Sequence, residues 1–248
     1  FTLAVTVGAQ CAFLAQALNH ETSHSVWREG RSPIFWIGWT LGHANAMLCH
    51  VPWAAYYWGG GHQRHHKFAG SRKDIDADAL FFLWKPPQSG AMKRFLWLSK
   101  AAIIIPVAYV ASLARFAMYD IRANVKEVSM VTFDFALTIV CHVLVGRVGA
   151  IYLFLSSCFS MGLLGHPLVG FWLLQHLCGG GVQPTVSYYG NSVWNWLCLN
   201  ELLHVEHHDL AGISWRHLPK LREICPQMYE GLYCELSLFG LIWAWLTS

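Results

Sequence analysis

The chain has 248 residues, of which 55% are hydrophobic and 12% charged. An average soluble domain carries about 25% charged residues. A soluble fold this poor in charge would struggle to cover its surface, so the composition points to a membrane protein, and the mean hydropathy of +0.36 agrees. The net charge of +3 is too small to argue for a nucleic-acid partner. The eight cysteines show no C-x-x-C spacing, which excludes a zinc ribbon or a redox pair. Cys141 and Cys158 lie in apolar runs and read as small buried residues.

Phe1 to Leu18 is nearly all apolar and uncharged, close to the ~20 residues that a membrane-spanning helix needs. It runs straight into Asn19-His20-Glu21-Thr22-Ser23-His24, so the pair His20 and His24 is expected at a membrane surface. Arg28 and Arg31 follow and mark that surface as cytoplasmic. Pro33 to Trp58 is apolar, rich in Trp and Tyr, and ends in Gly59-Gly60-Gly61. It is too short to cross a bilayer twice, which predicts a helix in the interface or a re-entrant dip. His43 and His50 within it read as polar contacts of a helix bundle.

Lys67 to Arg94 is polar and basic and reads as cytosolic. Trp97 to Tyr119 is a second candidate span. Val131 to Val145 and Val148 to Leu164 follow, interrupted by Gly146-Arg147. They form either one long tilted span or a span plus a buried half-helix. Trp215 to Met228 is polar and basic and reads as a cytosolic segment packed over a site. The chain starts inside one apolar run, and its last one, Leu236 to Leu246, is short. One domain over 1–248, truncated at both ends, is expected.

Three histidine clusters stand out. His62 lies one helical turn from both His65 and His66, so three imidazoles point into one volume. The spacing recurs at His204, His207 and His208, and His20 and His24 form a looser i, i+4 pair. Neutral imidazole is the commonest protein metal ligand. Eight histidines exceed what one structural zinc takes, and imidazole-rich sites suit iron, copper or zinc. The expected architecture is all-α: an integral membrane helical bundle with a cytosolic, histidine-rich di-metal cap. A redox metal beside an apolar span points to oxidation of a lipid chain. Two rivals come from other classes. His20-Glu21-Thr22-Ser23-His24 matches the zinc-protease pattern H-E-x-x-H, with Glu21 as general base, but that leaves six histidines unused. A haem protein needs only two axial histidines, not three clusters.

These boxes resemble those of the membrane fatty-acid desaturase and hydroxylase superfamily. Asn19 to His24, Gly165 to Gly170, Ser187-Tyr188-Tyr189-Gly190 and His204 to Asp209 are most similar to the sphingolipid Δ4-desaturases, the dihydroceramide desaturases. The resemblance covers essentially the whole chain. It departs at the three glycines before the second box, at Phe171 where relatives often carry histidine, and at Leu210-Ala211 after Asp209. The resemblance implies a non-haem di-iron enzyme of the endoplasmic reticulum membrane, multi-pass, with its histidine boxes facing the cytosol. It implies desaturation of the long-chain base of dihydroceramide with O2, or C4 hydroxylation or another acyl desaturation by the same chemistry. Electrons would come from cytochrome b5 and its NADH-dependent reductase. The basic residues Arg64, Lys67, Arg72, Lys73, Arg216, Lys220 and Arg222 are candidates to meet such an acidic donor.

Two further expectations concern the metal layer. Glu206 and Asp209 sit beside ligands and are candidates to orient an imidazole by accepting its second N–H, with Asp74 and Asp76 behind them. The resemblance also implies a ninth ligand between the second and third boxes, for which His142, His166 and His176 are available. His142 lies mid-way along an apolar run, and His166 precedes Pro167, which disfavours helical geometry there. His176 follows the apolar turn Phe171 to Gln175 and is the expected ligand.

Overall fold

The computed structural model describes residues 1–24, 33–49, 57–58, 60–71, 73–74, 90–92, 125–160, 175–176, 183–190 and 192–237. The expected span Trp97 to Tyr119, the residues His50, Arg72, Asp76, His166 and Phe171, and most of the last apolar segment lie outside them.

The first apolar run is helical throughout. A π-helical turn, Ala4–Gly8, continues into α1 (Ala9–Thr22). α2 (Pro33–Cys49) starts on a proline, which removes only an N–H that a first turn leaves unpaired. α2 runs antiparallel to α1. A Cβ at Gly38 would meet Thr22, and one at Gly42 would meet Asn19, so later residues of α2 face earlier residues of α1. The Asn19 side chain donates to the Gly42 carbonyl at 3.4 Å. Trp58 fills the space these glycines leave, its ring within 3.1 Å of a Cβ built on Gly38. α2 therefore leaves the level of the first histidine pair along α1, and α3 (Gly61–Phe68) brings the chain back to it.

α4 (Val125–Ser160) is broken at Gly146, whose φ of 69° and ψ of 177° are not helical. Its two arms do not continue one another. Asp134 in the first arm bonds His43, the neighbour of Gly42, while Ser160 in the second accepts from Gln16 at 3.2 Å. Gln16 and Asn19 are one turn apart on α1. In a straight helix the 26 positions from Asp134 to Ser160 would span about 39 Å, far more than these anchors allow. The second arm thus folds back at Gly146, which excludes one long straight span, and the returning arm is only partly buried, unlike the buried half-helix that the sequence suggests. Gly8 lets that arm close on α1: a Cβ there would lie 2.1 Å from Ser156 Oγ. By length and composition 128–160 is apolar enough to cross a membrane, with mean hydropathy 2.0. Its outward residues, among them Val143, Leu144 and Val148, are 76–83% exposed.

The remaining elements are short: β1 (Ser187–Tyr188), α5 (Ser192–Leu197), α6 (His204–Asp209), α7 (Leu218–Ile224), α8 (Pro226–Tyr229) and β2 (Cys234–Glu235). The protein is mostly helical, as composition predicts. The departure from an all-α fold is that β1 and β2 pair in parallel over two residues each. Gly190 permits the approach, since a Cβ there would overlap the Leu236 carbonyl oxygen.

Candidate metal centre

Each histidine box is placed by the helix that carries it. α1 ends at Thr22, and the chain continues in a turn that keeps His20 and His24 on one side. α3 starts on Gly60, which has φ 107° and lies in the left-handed region where a side chain is strained. Gly60, the middle glycine before the second box, thus has a backbone reason: it lets the chain turn sharply into a helix holding three imidazoles. α6 carries the third box. It is preceded by a turn in which Leu199 and Asn200 are both left-handed at φ 53°, and Asn200 is tied to the Trp215 carbonyl at 2.9 Å. His176 is fixed by its neighbour. The Gln175 side chain donates to the Leu202 carbonyl at 2.7 Å, and its own carbonyl accepts from the Val186 amide at 2.8 Å.

These elements bring nine imidazoles together. His20, His24, His62, His66 and His207 each offer one nitrogen within 4.8 Å of the others. His65, His176 and His208 form a second such group. His204 adjoins it, with Nε2 2.7 Å from His176 Nε2 and its ring 4.7 Å from that of His208. The two groups touch where His66 stacks on His208 with centroids 4.2 Å apart. His176, drawn from outside the boxes, therefore stands among them. His142 stands apart on α4, four residues before the Gly146 break, in neither group.

The interior edges of this cluster are almost all nitrogen. His24 Nε2 lies 3.4 Å from His20 Nε2 and 3.2 Å from His62 Nε2. His66 Nε2 lies 3.0 Å from His62 Nε2 and 3.1 Å from His207 Nε2. Burial, reinforced by the neighbouring imidazoles, holds His20, His62, His176, His207 and His208 well below the ordinary histidine range. It pushes His66 down to about 2 and His204 to about 3. The rings are thus neutral near pH 7, the form that binds metals. Neutral imidazoles that face one another through Nε2 have too few protons to satisfy every contact. A cation between them does so, which is the fit expected of a metal site.

Carboxylates anchor the outer edge. Glu201 Oε1 lies 2.8 Å from His20 Nδ1, and Asp74 Oδ1 lies 2.9 Å from His65 Nδ1. The His204 Nδ1 faces the Glu201 carbonyl at 3.1 Å. Burial, with Glu21 adding to it, raises the Glu201 carboxyl well above its ordinary range. Burial thus disfavours charge on the His20–Glu201 pair, and a metal held by His20 Nε2 would favour Nδ1–H donating to a Glu201 carboxylate. Asp74 takes the orienting place that the sequence allows it. Glu201 escaped sequence inspection, although a glutamate inside the apolar stretch Trp194 to Leu203 is itself a signal that something buried must pair with it.

Glu206 and Asp209 are placed differently from the sequence expectation. Glu206 accepts from the Ser187 hydroxyl at 2.6 Å and from the Tyr189 hydroxyl, and Asp209 is exposed. Ser187 Oγ also accepts from the Val205 amide at 2.9 Å, so Glu206 holds α6 to β1 rather than holding an imidazole. Arg222 stacks on the Tyr189 ring at 4.1 Å and closes that support from outside. Glu21 turns to the Trp215 amide at 3.4 Å and to the Ser214 hydroxyl, and burial raises its carboxyl against those two bonds.

A family model described as "Fatty acid desaturase" matches residues 1–237. The chain belongs to the fatty acid desaturase family. Among curated relatives it is 29% identical over 230 residues to a human sphingolipid delta(4)-desaturase/C4-monooxygenase DES2, covering 91% of this chain and 64% of that protein. It is 28% identical over 223 residues to a bovine sphingolipid delta(4)-desaturase DES1, covering 86% and 62%. A putative sphingolipid delta(4)-desaturase/C4-monooxygenase of Caenorhabditis elegans is 29% identical over 187 residues, covering 73% and 47%. The chain spans roughly half to two-thirds of the length of these relatives. No solved structure matches it.

Proposed function

We propose that this desaturase-family protein is a non-haem di-iron, O2-dependent oxidase that desaturates the long-chain base of dihydroceramide at C4. The convergence of nine imidazoles in two adjoining groups carries the proposal, and the names of the relatives supply the substrate class. His20, His24, His62, His66 and His207 would hold one metal, and His65, His176, His204 and His208 the other. When bound, two irons supply the activation of O2 needed to break an unactivated C–H bond.

The chain's own residues prepare that chemistry. Asp74 and Glu201 take the Nδ1 edges of His65 and His20, which turns their Nε2 lone pairs inward. Burial excludes water, since His20, His62 and His207 are each 3% exposed or less. The uncovered apolar face of α4 supports a membrane location, here the endoplasmic reticulum in a multi-pass topology with the cluster at the cytosolic face. Exposed Lys67, Lys73, Arg216 and Lys220 supply a basic surface for an acidic electron donor, cytochrome b5 served by its NADH-dependent reductase.

Two relatives are named for both desaturation and C4 monooxygenation, so C4 hydroxylation is the second reading. The zinc-protease reading loses support on two counts. His20 and His24 share a group with three histidines from the other boxes, and Glu21 is engaged by Trp215 and Ser214. The test is expression with cytochrome b5 and its reductase, metal analysis and product analysis. About two irons per chain and O2-dependent formation of ceramide are expected. Product formed equally well without O2, or about one zinc per chain with Glu21 essential, overturns the proposal. A C4 hydroxyl without a double bond selects the second reading.

A further inference from the structure

A third buried imidazole–carboxylate pair lies away from the nine histidines. His43 on α2 is 3% exposed and Asp134 on the first arm of α4 is 1% exposed. His43 Nδ1 lies 2.5 Å from Asp134 Oδ1. A carboxylate only accepts, so Nδ1 carries the proton and, in the neutral ring, Nε2 is left as an acceptor. That nitrogen is buried and has no hydrogen-bond partner among the described residues. A buried acceptor left unmet is costly to a fold. Such a group earns its place when something outside the chain completes it.

The surroundings say what that something is. The ring of His43 is bracketed by Trp39 at 4.1 Å and Phe133 at 5.0 Å, and Trp36 packs edge-on to Trp39 at 6.2 Å. Phe133 is 44% exposed and Trp36 60% exposed, so a single layer of aromatic side chains separates the imidazole from the outside of the helical layer. An apolar molecule entering beside α2 and α4 meets rings first and one hydrogen-bond acceptor behind them. The acceptor is also close to the metal cluster in register. Gly42, next to His43, is bonded by Asn19, next to His20.

We infer that His43, held by Asp134, is a specificity-determining residue that accepts a hydrogen bond from the C3 hydroxyl of the bound lipid. The inference rests on the sphingolipid reading and deepens it. A long-chain base oxidised at C4 bears a hydroxyl on C3 and an amide nitrogen on C2, so its donors lie within a few bonds of the reacting carbon. A simple fatty acyl chain offers none in its interior. The same acceptor therefore separates the two lipid classes by leaving itself unpaired when the wrong one binds.

The experiment measures binding by thermal stabilisation of the metal-free protein in detergent, with N-acyl-sphinganine and its 3-deoxy analogue as probes. Wild type is expected to bind the 3-hydroxylated lipid about tenfold more tightly, the worth of one hydrogen bond. His43→Asn keeps a donor for Asp134 but cannot reach the Nε2 position, and is expected to bind both lipids equally. His43→Gln, whose amide reaches further, is expected to recover part of the preference. Equal binding of the two lipids by wild type overturns the inference, and that arm needs no variant to fold. An unchanged preference in His43→Asn, or equal weakening toward both lipids, overturns it as well. Failure of the sphingolipid reading looks different: the loaded enzyme would leave N-acyl-sphinganine unconverted while oxidising another acyl lipid.

Discussion

Among the described residues, three buried imidazoles have a carboxyl oxygen at Nδ1, and they serve two different regions. His20 with Glu201 and His65 with Asp74 belong to the histidine cluster, whereas His43 with Asp134 lies between α2 and α4. In all three a carboxyl oxygen lies within 2.9 Å of Nδ1. What differs is the neighbour of the other ring nitrogen. In the cluster, His20 Nε2 faces the Nε2 of His24, and the ring of His65 packs on that of His176. Between the helices, the His43 ring lies beside Trp39 and Phe133, and its Nε2 has no hydrogen-bond partner among the described residues. The carboxylate fixes a tautomer, and the opposite edge decides whether the ring is part of a metal site or a solitary acceptor.

The largest expected effect breaks the cluster itself. His207→Ala removes a ring that lies 3.1 Å from His66 and 4.6 Å from His20. It is expected to lose most bound iron and to bring turnover to background, read by metal analysis and product formation. His43→Asn, by contrast, should keep the full metal content. Equal metal loss in the two would erase the distinction between the regions.

His176→Ala tests the member of the cluster that no box supplies. Removing it takes away the 2.7 Å partner of His204, and about one of two irons per chain should be lost. His142→Ala, in the first arm of α4, should retain both. Full retention in His176→Ala would remove it from the ligand set.

The carboxylates give a smaller, graded effect. Asp74→Asn and Glu201→Gln are expected to weaken metal affinity by about 10–100-fold, because they orient a ring without binding the metal. Asp134→Asn should leave metal affinity unchanged and alter only lipid preference. A metal competition titration checks all three, and an Asp134→Asn defect as large as that of Asp74→Asn would merge the two regions.

The smallest effect is at the entry to the second box. Gly60→Ala places a Cβ on a residue with φ 107°, where the nearest atom, Gln63 Oε1 at 3.8 Å, does not clash and only backbone strain remains, and should destabilise by about 1 kcal/mol. Thermal unfolding of the metal-free protein reads this, and no change would mean that the turn adopts another conformation.

The sequence alone determined the chemistry of the donors. Helical spacing placed His62 beside His65 and His66, and His204 beside His207 and His208, because i, i+3 and i, i+4 neighbours share a face whatever surrounds them. Apolar run length and scarcity of charge determined the helical character, and the break at Gly146 was legible because it interrupts one such run. Local pattern carries no information on which distant groups meet. Only tertiary structure decided that the arms of α4 fold back together and that His176 joins His204. It alone turned Glu206 toward Ser187 and Tyr189 while Glu201 turned toward His20. Glu201 and Glu206 both neighbour box histidines, and no spacing rule distinguishes them. Their roles follow from Glu201, in the turn before α6, meeting α1 while Glu206, on α6, meets β1, a matter of how separate segments pack once water has been excluded from between them.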